Sequence, residues 1–368
     1  MNKTFKVIYN RARLGMTAVS EIACSVQKKG TKTVLATGVA LLFSLGGGVA
    51  NAENGTEPIE NGTVSGTGDL IFTDVFSTGG IPSTVKADGT NQTTKINGYD
   101  GLYFKQTKDK TGGSALLGAS GGSLTVNVKT LEIGIEESPY LMGVQAFGGT
   151  VVIEQAERIS MTTNEQALMA QYSGGSDGSI TISAEDVSLR SKNATTIVGG
   201  SYDTDGGKTS IDVNASNRLT VSSDNGLAVM IYDQYRDENG QSSIGTGEAT
   251  VTLAGTNGVN INAETGTGIY ILRQASTGEA SSVTVKSPKG EVRVSARQSV
   301  VLATKKGEPT TNVNVTIDAQ KITLGGDVRL GYLDGSNLAY SDGDQGNVDK
   351  RKLTLIGTTT INGEVKAA

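Results

Sequence analysis

Tyrosines gather beside what the sequence pattern predicts to be one corner of a repetitive fold. Six of the 11 tyrosines of the chain lie in or near four long polar segments. A tyrosine ring offers a flat apolar face and a hydroxyl group, which suits contacts with sugars or protein surfaces. The candidate binding residues are Tyr202, Tyr232, Tyr235, Tyr332 and Tyr340, with Tyr172 beside them. The alternative interpretation is that these rings only pack over the shoulder of the fold.

Two of the same segments are rich in aspartate. The acids alternate with small residues before glycine, a pattern that can place carboxylates around Ca²⁺. Neither segment continues into a twelve-residue loop that a glutamate closes, and Asp and Gly are also the residues that exposed turns prefer. No cofactor is therefore expected, and calcium stays open as an alternative at Asp203, Asp205, Asp342, Asp344 and Asp349.

The residue types that are missing exclude several kinds of chemistry. The chain contains no histidine, so a Ser-His-Asp triad is excluded. Its single cysteine, Cys24, lies in the export segment, which excludes a disulfide framework in the remainder. Glycoside hydrolysis needs only two carboxylates, but adjacent acids such as Glu185 and Asp186 have no basic partner nearby in the sequence. We expect a protein that is not an enzyme, with a polysaccharide lyase or hydrolase as the alternative.

The charge balance also limits the choice of partner. Lys and Arg number 32, and Asp and Glu number 37. Seven of the basic residues and one acid lie in residues 1–52, so the remainder carries 25 basic and 36 acidic residues, a net charge near −11. Such a surface repels nucleic acid. We therefore expect a surface protein or glycan as the partner.

Short alternating strands are the elements that must position these side chains. Three strand types recur in order from Leu124 onward, as in Ile180-Thr181-Ile182, Val187-Ser188-Leu189 and Ile197-Val198. Apolar and polar residues alternate along them, as in a strand with one buried face. Triplets of short strands predict an all-β fold, a right-handed parallel β-helix (a solenoid with three strands per rung). A β-sandwich is the alternative.

The spacing of the strands predicts where the segments that carry Tyr and Asp project. The first and second strands of a rung start 7 to 9 residues apart, whereas the step from the third strand to the next rung varies widely in length. Solenoids tolerate insertions at a corner. The sequence thus predicts length variation at one corner only, with loops at Ser173–Gly178, Gly199–Lys208, Asp233–Glu248 and Leu333–Arg351.

The N-terminal part differs from the repeats. The apolar run Val34–Val49 follows several lysines and precedes Ala50-Asn51-Ala52, a site that signal peptidase accepts after Sec export. The predicted organisation is a helical, extended signal peptide over residues 1–52, an N-terminal cap or lead-in over 53–95, and the β-helix over 96–368. The mature chain is predicted to contain no transmembrane span.

The first 30 residues contain a second charged block before the apolar run. Its segments Met1-Asn2-Lys3, Val7-Ile8-Tyr9-Asn10 and Ala18-Val19-Ser20-Glu21 resemble the extended signal peptide region of type V secreted proteins of Gram-negative bacteria. The resemblance implies the passenger of a monomeric autotransporter, an adhesin or interaction scaffold that binds through its corner loops, with a non-binding stalk as a further alternative. It also implies a C-terminal outer-membrane barrel, which this sequence lacks. We expect a cell-surface or extracellular location if a barrel is joined, and a periplasmic one if the chain is complete as given.

Overall fold

The computed structural model describes residues 5–10, 15–20, 52–75, 83–106, 117–135, 142–200, 207–236, 242–274, 280–305, 312–334, 337–339 and 350–367. The chain separates into two compact units, residues 1–37 and 38–368. In the first unit β1 (Phe5–Asn10) pairs antiparallel with β2 (Gly15–Ser20). Both stretches were expected to be part of a helix. The difference has a local cause, because β1 contains Val7, Ile8 and Tyr9, whose side chains favour strands.

The second unit consists of short strands that pair in parallel and form three ladders. The chain visits the ladders in a fixed order, and we call one pass through all three a rung. The separate strands of the rungs before residue 148 are β3 (Ala52–Gly55), β4 (Ile59–Glu60), β5 (Thr63–Ser65), β6 (Asp69–Thr73), β7 (Val85–Asp88), β8 (Thr93–Asn97), β9 (Gly101–Lys105), β10 (Leu117–Ser120), β11 (Ser123–Asn127), β12 (Thr130–Ile133) and β13 (Val144–Phe147).

Beyond residue 147 many strands run through a corner and belong to two or three ladders in succession. All the ladder strands of this region, including those that belong to one ladder only, are β14 (Thr150–Thr163), β15 (Leu168–Gln171), β16 (Gly178–Ser191), β17 (Ile197–Gly200), β18 (Lys208–Ser223), β19 (Val229–Tyr232), β22 (Glu248–Gly255), β23 (Gly258–Arg273), β24 (Ser281–Lys305), β25 (Val313–Leu324), β26 (Asp327–Asp334), β28 (Arg351–Ile361) and β29 (Val365–Ala367). Two antiparallel additions lie outside the ladders: β20 (Gln234–Arg236) pairs with β21 (Ser242–Ile244), and β27 (Asn337–Ala339) pairs with β26.

Strict register keeps the same kind of residue in the same place on successive rungs. In the first ladder Leu124 pairs with Val151, Val151 with Ile180, and Ile180 with Ile211. The second ladder aligns Leu131 with Ile159 and Val187 in the same way. The third ladder runs from β4 through β7, β10, β13, β15, β17 and β19 into the ends of β23 and β24, and then into β26 and β29.

The core lies between the ladders and is almost entirely aliphatic. The inward residues from Leu70 to Val328 are buried and form one cluster, whereas those of the last rung, such as Leu353 and Leu355, are only partly buried. No single rung can bury its apolar face alone, so each gains stability from its neighbours. Burial of one Val, Leu or Ile contributes about 1.5–3 kcal/mol. Near the N-terminus the rings of Phe72 and Phe104 stack inside the core, with centroids 5.4 Å apart.

Two features of the fold differ from the expectations. The ladders begin at β3, upstream of the residue 96 boundary, because residues 52–73 already carry the alternating pattern that pairs with β7, β8 and β9. Length variation also occurs at two corners. Long connections between the second and third ladders cover residues 74–84, 106–116 and 134–143. The repeat pattern is clearest from Leu124 onward, after most of these insertions. The sequence therefore predicted insertions only at the corner between the third and first ladders.

Candidate functional site

From Met169 to Val301 the outward side of the third ladder carries mainly apolar and aromatic residues. Met169 is aligned with Val198, Val198 with Met230, Met230 with Tyr270 and Tyr270 with Val301. A second row on the same side contains Phe147, Tyr232 and Leu272. We call this surface the apolar face and define it by Phe147, Met169, Val198, Met230, Tyr232, Tyr270, Leu272 and Val301.

Alternation along the strands places these side chains outward. In β19, Val229 and Ile231 are fully buried in the core, whereas Met230 and Tyr232 between and after them are half-buried. In β23, Ile269 and Ile271 point inward, and Tyr270 and Leu272 are half-buried. Val198 and Val301 are buried although they lie on the outward side, so other parts of the chain cover that portion of the face. The half-buried portion offers adaptable Met and Tyr side chains to a partner.

A buried ion pair fixes the base of the long insertion at residues 233–247, beside this face. Asp233 directly follows β19, and Arg273 ends β23 on the next rung. The Nε atom of Arg273 lies 3.8 Å from Oδ2 of Asp233, and their side chains are 1% and 0% exposed. The backbone N–H of Gln274 also donates to Oδ2 of Asp233, at 2.6 Å. Burial lowers the pKa of Arg273, and the charge of Asp233 counteracts that shift.

The same aspartate also ties the far end of the insertion. The backbone N–H of Gly245 donates to the carbonyl oxygen of Asp233 at 2.8 Å. Between these two residues β20 and β21 form an antiparallel hairpin, in which Tyr235 pairs with Ser243. The two ends of this hairpin are therefore held at the corner by buried contacts, while the hairpin belongs to none of the ladders.

A second buried polar contact lies at the same corner on later rungs. Nη1 of Arg351 donates to Oγ1 of Thr304 at 2.5 Å, and both side chains are buried. Thr304 is aligned with Tyr332 on the next rung. Arg351 begins β28, so this contact ties the start of a first-ladder strand to the end of a third-ladder strand. The corner that carries long insertions is thus fixed from inside at more than one level.

The predicted binding residues have different locations. Tyr232 lies on the apolar face, and Tyr235 lies in the hairpin strand β20. Tyr332 is only 1% exposed, so its inclusion in an exposed binding surface was wrong. Its position in β26 continues the inward row of the ladder, which the sequence alone did not distinguish from a loop. The ring of Tyr172 lies against Gly207, where an added Cβ would come within 1.7 Å of it. Tyr202 and Tyr340 lie outside the described residues.

The predicted metal ligands are also outside the described residues: Asp203, Asp205, Asp342, Asp344 and Asp349. Within the part of the chain that the structure describes, no group of three or more acidic, His or Cys side chains is arranged to hold a metal ion. Of the two predicted cleavage-site residues, Ala50 lies outside the described residues and Ala52 begins β3.

Met169, Met230 and Tyr270 were not among the predicted binding residues. Sequence reasoning assigned their segments to core strands, since nearly every residue there is apolar. The signal was nevertheless present. In Val229-Met230-Ile231-Tyr232 both alternating sets of residues are apolar, which is typical of a strand that has contacts on both sides.

Comparison with known proteins identifies only the N-terminal segment. A family model, the extended signal peptide of the type V secretion system, matches residues 1–50. Comparison with curated proteins and with solved structures gives no match. The match identifies an export signal for type V secretion, in agreement with the resemblance of the first 30 residues. Among the described residues, no helix has the length and apolar character needed to cross a membrane.

Proposed function

We propose that the chain is the passenger of an autotransporter, folded as a right-handed parallel β-helix, and that it acts at the cell surface as an adhesin or interaction scaffold. The observation that carries this proposal is the apolar face, a row of half-buried Met and Tyr side chains beside a corner with long insertions. The export signal at residues 1–50 supports a role outside the cytoplasm.

The parallel register supports the β-helix. Each strand of a ladder pairs with the equivalent strand one rung later, and the chain passes through all three ladders before it returns. Only two residues, Gly121-Gly122 and Gly148-Gly149, join a third-ladder strand to the next first-ladder strand. Connections this short cannot pass from one side of the stack to the other. A chain that winds in one direction around a common axis satisfies both the parallel register and the short corners. Right-handed connection between parallel strands is the strong general preference.

Binding, and not turnover, is the activity that the apolar face supports. Apolar surface that solvent can still reach in part is typical of sites that contact other proteins or ligands. Tyrosine and methionine supply contact area at low entropic cost and can adapt to the shape of a partner. We propose a surface protein or glycan as the partner of this face.

The test is a binding assay with matched variants. The purified chain is applied to immobilised extracellular-matrix proteins and glycans, and the same assay is repeated with Met230→Ser/Tyr232→Ser/Tyr270→Ser. We expect at least a roughly tenfold loss of affinity in the triple variant, since such anchors dominate binding energy. Tyr103→Ser is the control, because Tyr103 is a half-buried tyrosine on the second ladder.

Three outcomes would contradict the proposal. Equal binding by the triple variant and the Tyr103→Ser control would remove the apolar face from the adhesive surface. Absence of binding by the unaltered chain would favour a stalk. Release of reducing sugars from a polysaccharide panel would favour an enzyme. Location is tested separately: protease added to intact Gram-negative cells that express the full gene product is expected to degrade a surface passenger.

A further inference from the structure

We infer that the outward side of the first ladder is a second binding surface, and that its ligand is a neutral polysaccharide in extended form. This surface is distinct from the apolar face. Ten of its twelve residues are Ser or Thr, whose hydroxyl groups the register arranges in two files along six successive rungs.

The register defines the two files. In the first file Ser123 is aligned with Thr150, Thr150 with Ser179, Ser179 with Ser210, Ser210 with Thr250 and Thr250 with Ser282. The second file, two residues further along each strand, contains Thr125, Val152, Thr181, Asp212, Thr252 and Thr284. We call these twelve residues the hydroxyl face. All are half-buried, and successive rungs are about 4.8 Å apart.

The hydroxyl face is nearly free of charge, unlike the neighbouring ladder. Among its twelve residues only Asp212 is charged. On the outward side of the second ladder, by contrast, Arg158 is aligned with Asp186, and Asp186 with Arg218. The scarcity of charge is therefore limited to these two files, since Lys208 and Glu248 form an ion pair at 3.2 Å at the next outward position of the same ladder. A neutral ligand can bind here without the cost of desolvating a paired charge.

Hydroxyl groups suit a partner that is itself covered with hydroxyl groups. Each Ser or Thr hydroxyl can donate one hydrogen bond and accept two. The Oγ of Ser179 donates to Oγ1 of Thr150 at 3.0 Å, so neighbouring rungs already orient one another. Acceptor positions remain on both oxygens. Threonine side chains have a stiff χ1 angle, which limits the entropy that they lose when a ligand binds.

Repetition supplies the affinity that a single contact lacks. One exchange of water for a sugar hydroxyl contributes little, because both states are hydrogen-bonded. An extended chain laid along the files meets at least one hydroxyl on every rung and two on four of the six rungs, so the contacts act together as a multivalent set. A polyanion is a poorer fit, since the face presents no cation and the exported part of the chain is acidic.

The experiment measures binding of the purified chain to insoluble cellulose, mannan and chitin, with alginate as the anionic comparison. The key variant is Thr181→Val/Thr252→Val/Thr284→Val, which removes three hydroxyls and keeps their β-branched shape. The matched control is Thr130→Val/Thr162→Val/Thr220→Val on the outward side of the second ladder. Equal urea midpoints verify that both variants are folded.

We expect the unaltered chain and the control to bind at least one neutral polysaccharide, and the key variant to bind it roughly tenfold more weakly. We also expect binding to be the same at about 0.05 M and 0.5 M salt, since no charge pair is involved. Equal binding by the two variants, stronger binding to alginate that falls with salt, or no binding by the unaltered chain would each overturn the inference. The triple variant of the apolar face should bind the polysaccharide normally, so failure of one surface does not imply failure of the other.

Discussion

The rungs before residue 148 and those after it share one kind of core but carry their long insertions at different corners. In the N-terminal rungs the third-to-first corner is closed by two residues, Gly121-Gly122 and then Gly148-Gly149, and the long connections lie between the second and third ladders. In the C-terminal rungs the long connections lie between the third and first ladders, as at residues 233–247. One aliphatic core runs through both regions. A stack of parallel ladders can therefore move its surface insertions from one corner to another without any change of core.

The two regions also close their tight corners by different means. The N-terminal rungs use glycine in the left-handed region, with φ of +70° at Gly121 and +59° at Gly148. The C-terminal rungs use buried hydroxyls at the second-to-third corner. There Oγ of Ser223 accepts from the N–H of Gly226 at 2.8 Å and donates to the carbonyl of Ala194 on the preceding rung at 2.8 Å. The difference gives four ways to perturb one region and leave the other unchanged.

The largest effect is expected at the buried base of the C-terminal hairpin. Asp233→Ala leaves Arg273 buried without its carboxylate, which should lower the free energy of unfolding by about 3–5 kcal/mol. The measurement is urea unfolding followed by circular dichroism. Lys129→Ala is the control from the N-terminal rungs, since its contact with Asp100 at 2.6 Å is exposed and should contribute little. A similar small effect for both changes would contradict the anchoring role of Asp233.

The next largest effect is expected at the glycine corner of the N-terminal rungs. A Cβ added at Gly148 would come 2.1 Å from the carbonyl oxygen of Ser173, in a backbone conformation with φ of +59°. Gly148→Ala should therefore cost about 3 kcal/mol of stability. Gly174 has φ of +60° but open space around it, so Gly174→Ala should cost only about 1 kcal/mol. Thermal unfolding of the two variants measures the difference, and equal losses would mean that crowding at the corner is unimportant.

A smaller effect is expected at the hydroxyl corner of the C-terminal rungs. Ser223→Ala leaves the N–H of Gly226 and the carbonyl of Ala194 without this buried partner, which should cost about 2 kcal/mol. Urea unfolding of the variant tests the value. Ser222→Ala serves as the control, because its hydroxyl is half-exposed and contacts the carbonyl of Leu189 at 3.4 Å. A larger loss for Ser222→Ala than for Ser223→Ala would contradict the role of the buried hydroxyl.

The smallest effect is a pH dependence confined to the N-terminal rungs. The hydroxyl of Tyr99 donates to Oε2 of Glu53 at 3.0 Å, and burial, followed by the charge of Glu53, raises the pKa of Tyr99. A raised pKa stabilises the fold below the ordinary tyrosine value of about 10, and that contribution is lost as the pH rises through the folded value. We expect urea midpoints to fall between about pH 9 and 11, and Tyr99→Phe to flatten this decline. An unchanged slope in the variant would assign the effect to other groups.

Alternation of apolar and polar residues was enough to predict the strands. Runs such as Ile180-Thr181-Ile182 and Val283-Thr284-Val285 lie within the ladders as expected, since the period of a half-buried strand is visible in any single rung. The binding surface was less predictable. Tyr332 looked like a loop residue but continues an inward row, and Tyr270 looked like core but lies on the outward side. Which side of a strand a ring occupies depends on register, and register depends on contacts with residues of other rungs.

The contact between Asp233 and Arg273 could not be predicted from the sequence either, because it also depends on the register between rungs. The two residues are 40 positions apart in the numbering, and only the alignment of consecutive rungs brings them together. Their chemistry gave no local signal, because an acid in a turn and a base after a strand are both ordinary surface residues. The sequence pattern indicated the acid-rich turns as candidate sites. The buried acid, Asp233, has no acidic residue directly beside it in the sequence.

The register of the ladders also bears on the order in which the chain can fold. Bonded partners on successive rungs are separated by a short stretch of chain, 29 residues for Ser179 and Thr150 and 41 for Gln274 and Asp233. A finished rung therefore offers a complete template to the next few dozen residues, without waiting for the distant terminus. Growth of this kind proceeds from one end and needs no long loop closure. A polypeptide delivered through a narrow opening, a little at a time, can thus gain stability with every rung that emerges, and each new rung opposes movement of the chain in the reverse direction.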